Sequence, residues 1–303
     1  MELSEKPMIV ELGASIFSKR IANELEKRGT KVKLTTTRLR DFRFKKKIKD
    51  FPVVHFTGAP TVTFTGLLAL IRFRWWKKKI VVSWIGFDIR RITNNFFWRL
   101  CTKLFLNYID INITDDKYVA KELKHFGIPA NVQPLPVYLL YQLYELPKLK
   151  KILVYLPDYT QEDFEFYQGD LIKKLVDSFP EVKFIITGNS GRHFKNNKNV
   201  QTIEWCNNME PLYKDVIAVI RLPKHDATGA TIIETLSMGR TMIASATNFP
   251  YCKKVNNFQD AKNHLNEIIQ NPILNIEASE FIHNTYNNSK LADDLIKICK
   301  NLL

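Results

Sequence analysis

The chain has 303 residues, enough for two hydrophobic cores, and its 45% apolar and 25% charged residues exclude wholesale disorder, collagen and a coiled-coil rod. Its 45 Lys and Arg exceed its 31 Asp and Glu, a net charge of +14, with residues 1–150 carrying +15 and residues 151–303 carrying −1. That asymmetry points the first half toward something anionic, a phospholipid surface, nucleic acid or a phosphorylated acceptor, against the plainer alternative of a solvated basic surface.

Met8 to Leu12 is a short apolar run broken by Gly13-Ala14-Ser15, after which Ile16, Ile21, Ala22 and Leu25 recur at helical spacing. Strands are expected at Lys31 to Thr35, at Val53 to Thr57 before Gly58-Ala59-Pro60, and at Ile80 to Trp84 before Gly86. A helix runs through Leu67, Leu68 and Ile71, and Phe96 to Tyr108 carries a helical stripe ahead of the strand Ile109 to Thr114. Pro134, Pro136 and Pro147 bracket a Tyr/Leu-rich stretch without period, which marks a linker. It divides residues 1–147 from residues 148–303, with a final helix about 277–303 that can pack back on the first domain.

The second half alternates again. A strand Ile152 to Leu156 leads to a helix from Phe164 to Phe179, then strands Val182 to Thr187 and Val200 to Ile203. A short helix around Leu212, the strand Val216 to Ile220, a helix Ala230 to Met238 and the strand Thr241 to Ser245 follow. Strands alternating with helices imply an α/β fold of two doubly wound parallel sheets, whose ligands sit at the carboxyl ends of the strands.

Cys101, Cys206, Cys252 and Cys299 form no Cys-x-x-Cys pair, and the first residues lack the apolar core of a signal peptide, so a cytoplasmic location is expected. The longest uncharged apolar run, Thr61 to Ile71, falls short of the roughly 18–20 residues that span a bilayer. Membrane contact is therefore expected to be peripheral, on the inner face. P-loop, dinucleotide, zinc-protease and serine-hydrolase signatures are absent, as is an Asp-x-Asp that would hold a divalent ion, so no metal is expected.

The segment 220–245 carries the most chemistry. After Ile220 comes a loop with Asp226 and Gly229, and a helix then starts at Ala230. The amides of Gly229, Ala230 and Thr231 at such a helix start form a cradle for phosphate. Glu234, one turn further on the same face, can accept hydrogen bonds from ribose hydroxyls, or can be an acid suited to the first turns of a helix.

Asp226 and Glu234 stand eight residues apart in a frame that includes Pro223, Gly229, Gly239, Ile243 and Ala244. This resembles the acid-x7-acid signature of GT-B glycosyltransferases, especially the retaining group called family 4. More faintly, Ile109 to Gly127 is similar to that family's last N-domain strand and helix, and Trp84 to Asp88 to its acceptor-side strand end. The resemblance implies a GT-B fold, two Rossmann-like domains facing each other across a cleft. It implies that Glu234 binds the ribose of a nucleotide-sugar donor such as a UDP- or GDP-sugar, that the amides of Gly229 to Thr231 hold the diphosphate or sugar, and that Asp226 touches sugar hydroxyls. Transfer would retain anomeric configuration with the leaving phosphate as proton acceptor, and no further cofactor.

Three departures stand out: the first acid is aspartate where the family has glutamate, Thr241 replaces the usual proline, and the family's Arg/Lys pair is missing after the first strand of the second half, where Pro157-Asp158-Tyr159 stands. Arg192, Arg221 and Lys224 are the available cations, with Arg221 and Lys224 the candidates for catalysis. Softer donor contacts are Gly188, in a post-strand turn, and Trp205 and Cys206, where this fold seats the nucleobase; Trp205 is otherwise a core aromatic. On the acceptor side stand Gly13, Ala14, Gly58, Trp84 and Gly86, with Asp88 to orient or deprotonate an acceptor hydroxyl or, alternatively, to cap a helix.

The basic segments Arg38 to Lys49 and Ile71 to Lys79 mix cations with aromatics, which suits an anionic membrane or, as second choice, nucleic acid. Three readings follow: a glycosyltransferase acting on a lipid-linked or glycan acceptor, a DNA-modifying sugar transferase that grips a duplex, and a catalytically degenerate module that binds nucleic acid or membrane.

Overall fold

A computed structural model describes residues 9–12, 16–35, 48–226 and 228–303. The chain divides into two compact units, residues 1–138 with 286–303 and residues 139–285. The expected acceptor-side residues Gly13 and Ala14, and most of the basic segment from Arg38, lie outside the described residues.

In the first unit β1 (Ile9–Leu12), β2 (Val32–Thr35), β3 (Val53–Thr57), β4 (Lys79–Trp84), β5 (Ile111–Thr114) and β6 (Asn131–Val132) form one sheet in the order β2-β1-β3-β4-β5-β6. All its pairings are parallel. β1, β3 and β4 are near-continuous apolar runs because helices cover both faces of such a sheet. The connecting helices are α1 (Ile16–Lys27), α2 (Phe64–Trp75), α3 (Gly86–Asn94), α4 (Phe96–Phe105) and α5 (Lys117–His125). α3 is an addition to the elements read from sequence. Asn95 is extended and its side chain accepts from the Phe97 and Trp98 amides, so the chain ends one helix and caps the next at a single residue.

Three buried polar side chains tie the middle of this sheet together. Glu11 on β1 lies opposite His55 on β3, and their side chains meet at 2.5 Å between Oε2 and Nδ1. His55 Nε2 lies 2.6 Å from Ser83 Oγ on β4, and Thr57 Oγ1 donates to Glu11 Oε1 at 2.5 Å. The connectivity is that of a Ser-His-acid relay, but Glu11, His55 and Ser83 have no solvent exposure, so the network is internal bonding between strands.

The second unit repeats the plan. β7 (Lys151–Tyr155), β8 (Lys183–Thr187), β9 (Val200–Ile203), β10 (Ala218–Arg221), β11 (Thr241–Ala244) and β12 (Cys252–Lys254) lie parallel in the order β12-β11-β10-β7-β8-β9. Its helices are α6 (Gln161–Phe166), α7 (Gly169–Asp177), α8 (Glu210–Lys214), α9 (Ala230–Ser237), α10 (Phe258–Gln270) and α11 (Ile276–Thr285). Ile152, Val154, Ile172, Phe184 and Ile220 belong to its core.

The single helix expected from Phe164 to Phe179 is two, α6 and α7. Gln168 takes a left-handed φ of 53°, and Gly169 packs so closely on Phe164 that a Cβ there would lie 2.2 Å from the ring. The break turns Tyr167 and Gln168 toward the carboxyl ends of the strands. The final helix is also two: α11 closes the second unit, and α12 (Asn288–Lys300) belongs to the first. There Asn288 Nδ2 donates to the Tyr138 carbonyl at 2.7 Å and Arg28 pairs with Asp293. Among the described residues no helix is long and apolar enough to cross a membrane.

Candidate functional site

β10 and β7 are neighbours in space but not in sequence. From β7 the chain builds outward through β8 and β9, then returns to build β10, β11 and β12 on the other side. The carboxyl ends of β7 and β10 are therefore a topological switch point, where open α/β sheets leave a crevice for ligands. Arg221, Asp226, Gly229 and the start of α9 all follow from β10 at this point.

Arg221 is the last residue of β10, and the loop after it brings Asp226 back to form a two-pronged ion pair with it, Nη1 to Oδ2 and Nη2 to Oδ1. The guanidinium lies 5.3 Å from the ring of Tyr155 at the end of β7 and 5.5 Å from that of Tyr167 in the α6–α7 break. Burial opposes its charge, but Asp226 and the two tyrosines outweigh it and raise its pKa. The same burial, with Tyr167 adding to it, pushes Tyr155 up to about 12, so both groups keep their protons at neutral pH. Gln168 Nε2 donates to the Leu222 carbonyl at 3.0 Å and Ser245 Oγ to the Pro223 carbonyl at 2.6 Å, which fixes the loop's first residues.

Gly229 precedes α9 as its cap and offers no side-chain acceptor to the first-turn amides of Ala230 and Thr231. A Cβ on Gly229 would lie 3.3 Å from both Arg221 Cζ and Asp226 Oδ2, so a glycine lets the ion pair and the helix start approach each other. Glu234 is buried within α9, and its Oε2 accepts from the Tyr213 hydroxyl at 3.1 Å. Burial, then Glu234, push the Tyr213 hydroxyl well above its ordinary pKa, so it remains a donor. Arg240, wholly buried just past α9, holds this corner together: Nε donates to the Tyr213 carbonyl at 2.9 Å, Nη1 to that of Tyr144 at 2.7 Å and Nη2 to that of Glu145 at 2.8 Å. Burial lowers its pKa to about 10.

The acid that stands where the resemblance expects a cation, Asp158 after β7, is buried and draws a cation to itself. Its carboxylate accepts from the Ser190 amide at 2.9 Å and from Ser190 Oγ at 2.7 Å and forms an ion pair with Arg192, Nε to Oδ2 at 3.2 Å, while Arg192 Nη2 donates to the Asp158 carbonyl. Arg192 is thereby held beside the end of β7. Lys224 is exposed, with its amide bonded to the Phe166 carbonyl at 2.8 Å. Gly188 has both peptide groups engaged, its amide to Ile203 and its carbonyl to Asp158. Trp205 is exposed, with its indole N–H on Asn207 Oδ1 at 2.7 Å; its position on the short Glu204–Asn208 loop leaves it outside the core where a buried aromatic was the alternative. Cys206 Sγ lies 3.0 Å from the Asn208 carbonyl.

In the first unit the structure brings Gly58, Gly86 and Asp88 to the carboxyl ends of β3 and β4. Asp88, in the first turn of α3, is buried; its Oδ2 accepts from the Ala59 amide at 2.8 Å and the Ile85 amide at 3.1 Å. Gly58, at a φ of 96°, lies against that carboxylate. Burial raises Asp88 to about 7, against the two amides and Arg91. Trp84 points into the core instead of toward a ligand, fully buried with its indole N–H on Asn112 Oδ1 at 2.9 Å, because it is an inward position of β4.

Tyr155, Tyr167, Tyr213 and Arg240 were not singled out from sequence. Tyr155 was readable as the end of a strand at the switch point; Arg240 had the signal of a lone cation between a helix end and a buried strand. Among the described residues no cluster of His, Cys, Asp and Glu converges as metal ligands would.

This pair of parallel α/β units, with a cation, an acid and an open helix start at the switch point of the second, has the GT-B architecture. The chain is similar in fold to sucrose-phosphate synthase from Thermosynechococcus elongatus, with a TM-score of 0.78 at 12% identity over 98% of this chain and 99% of the other. It is similar also to Anabaena HepE solved with UDP-glucose, TM-score 0.72 at 10% identity, covering 99% of this chain and 100% of that one. The lipopolysaccharide outer core galactosyltransferase WaaB matches with a TM-score of 0.64 at 12% identity, over 97% and 99% of the two chains. No protein-family model and no curated protein matches the sequence.

Proposed function

We propose that the protein is a glycosyltransferase that moves a sugar from a nucleotide-sugar donor, a UDP- or GDP-sugar, to a lipid-linked or glycan acceptor. The observation that carries this reading is the cluster at the ends of β7 and β10: a guanidinium beside two tyrosine rings that pack edge-on against each other, next to a glycine and uncapped helix amides. Its support is the fold shared with HepE, which was solved with UDP and with UDP-glucose.

In this reading the amides of Gly229, Ala230 and Thr231 receive the diphosphate. Arg221 neutralises the charge that develops as the sugar leaves, its orientation fixed beforehand by Tyr155 and Tyr167. Asp226 holds Arg221 in the free protein and meets the donor sugar's hydroxyls once the diphosphate takes over the cation. Glu234 accepts from the ribose, kept in place by Tyr213. Arg192, brought in by Asp158, stands in for the cation that the retaining family 4 pattern places on the preceding loop. Transfer with retention and without a metal follows that pattern, and Asp88 serves the acceptor hydroxyl from the first unit.

Calorimetric titration with UDP and GDP tests the assignment. Arg221→Met should weaken UDP about tenfold, about 1.4 kcal/mol, and Glu234→Gln should weaken UDP by a similar factor without weakening inorganic diphosphate. Unchanged affinity in both variants would refute the donor site, and a protein that binds neither nucleotide would point to the degenerate module.

A further inference from the structure

Two helices of the first unit turn apolar side chains to solvent. On α2, Phe64, Leu68, Ile71 and Trp75 recur along one line and are 39 to 80% exposed, while Leu67, Ala69, Leu70 and Phe73 fill the core from the other side. A surface helix normally keeps its outer face polar, so an outer line of this kind is uncovered apolar surface. α4 repeats it: Phe96, Phe97, Leu100 and Leu104 face outward and Cys101 and Thr102 are buried. The two lines join where the Phe64 ring packs 5.7 Å from that of Phe97 and 5.0 Å from that of Trp98. The result is a continuous patch, which monomeric proteins rarely leave bare.

The surrounding charge is predominantly positive. Between Phe51 and Ile109 nine Lys and Arg stand against one carboxylate, Asp88, which is buried. The next acid, Asp110, is engaged by Arg74 at 3.4 Å and Lys79 at 3.8 Å. Arg74, Lys77 and Lys103 are exposed at the margins of the patch.

We propose that the joined outer faces of α2 and α4 are a docking surface for an anionic phospholipid bilayer. The apolar side chains enter the boundary between headgroups and acyl chains, and the flanking cations meet the lipid phosphates. With 12 and 10 residues, the two helices lie in that boundary and do not cross it. The aliphatic members decide against nucleic acid: bases stack on rings and phosphates meet cations, but Leu68, Ile71, Leu100 and Leu104 gain nothing from either. A second copy of the chain would set the same cations face to face. Docking here gives the basic half its partner and, resting on the transferase reading for its purpose alone, brings the acceptor side of the enzyme to a lipid surface.

The test is flotation of the full chain with phosphatidylcholine vesicles with and without phosphatidylglycerol, across a salt series and without donor. The chain should float with the anionic vesicles and be released by salt. The double variant Leu68→Glu with Leu104→Glu should bind at least about tenfold less while keeping its melting profile and its UDP-dependent thermal shift. As a second readout, brominated phosphatidylglycerol should quench tryptophan fluorescence, and Trp75→Phe, which stays apolar, should lessen the quenching, leaving the part due to Trp98. Undiminished flotation of the double variant, equal binding to neutral vesicles, retention of duplex DNA in place of vesicles, or a dimer that the double variant splits would each overturn the proposal. Flotation with no response to either UDP or GDP would instead defeat the transferase reading and leave this one standing.

Discussion

The carboxyl of Asp88 makes the first unit a proton-linked structure. Its ordinary value of 3.8 rises to about 7 because burial outweighs the two amides, from Ala59 and Ile85, that favour its charged form. In the unfolded chain it ionises near 3.8, so between that pH and 7 the native state binds the extra proton. Stability therefore falls as pH rises through this window and levels off above about 7, the reverse of a salt-bridged carboxylate. The whole rise corresponds to about 4 kcal/mol at 1.36 kcal/mol per pH unit, of which about 2.5 kcal/mol falls between pH 5 and pH 8. For a unit of this size that lowers the melting temperature by roughly 5 to 10 °C. Asp88→Asn cannot ionise, so its melting temperature should lose this slope. At pH 5, where the parent carboxyl is still neutral, the two should be about equally stable, since both amides bond to one oxygen, Oδ2, whose place the carbonyl oxygen of asparagine can take. By pH 8 the variant should be the more stable, by about 2.5 kcal/mol. Calorimetric melting of both proteins from pH 5 to pH 8.5 decides it: a parent with no slope, or a variant that keeps the parent's slope, refutes the argument that burial governs this group.

Arg240→Met keeps the length of the side chain but leaves the carbonyls of Tyr213, Tyr144 and Glu145 without their donor. The buried Tyr213 carbonyl costs about 1–3 kcal/mol when left unpaired, whereas Tyr144 and Glu145 are exposed and water can reach their carbonyls, so the variant should cost the second unit about 2 kcal/mol in denaturant titration and weaken UDP through the displaced Tyr213. Glu11→Ala leaves the buried His55 and the half-buried Thr57 without their acceptor and should cost the first unit about 3 kcal/mol; a loss below about 1 kcal/mol would mean the network adds little to the sheet.

The sheets were legible because their strands are apolar runs closed by glycine or proline: Val53 to Thr57 before Gly58, Lys183 to Thr187 before Gly188. Residues that stop an element by local conformation were not. Asn95 ends one helix and caps another, and Gln168 turns left-handed so that Gly169 can seat against Phe164. Neither event interrupts the spacing of apolar residues, which is the signal that sequence reading uses. The same break turns Tyr167 onto Arg221, so the detail that hides from periodicity also builds the site.

The segment 220–245 showed its glycine, acids and helix start directly, since these follow one another in the chain. The charges that complete it do not. Asp158 and Arg192 lie on different loops, as do Arg221 and its two tyrosines, and only strand order brings them to one edge. In the proposed site Arg192, on the neighbouring loop, takes the place of the missing cation: the buried Asp158, too costly to leave unpaired, requires a partner, and Arg192 pairs with it at 3.2 Å. If that reasoning holds, Asp158 and Arg192 form one unit. Replacing Asp158 with Asn should loosen Arg192, and reversing the pair, Asp158→Arg with Arg192→Asp, should restore the ion pair and put the cation on the loop where the resemblance expects it. Recovery of UDP affinity in the reversed pair, measured against the two single variants, would identify the charge itself as what the site needs; failure of the reversal with the fold intact would show that the position of Arg192 carries the effect.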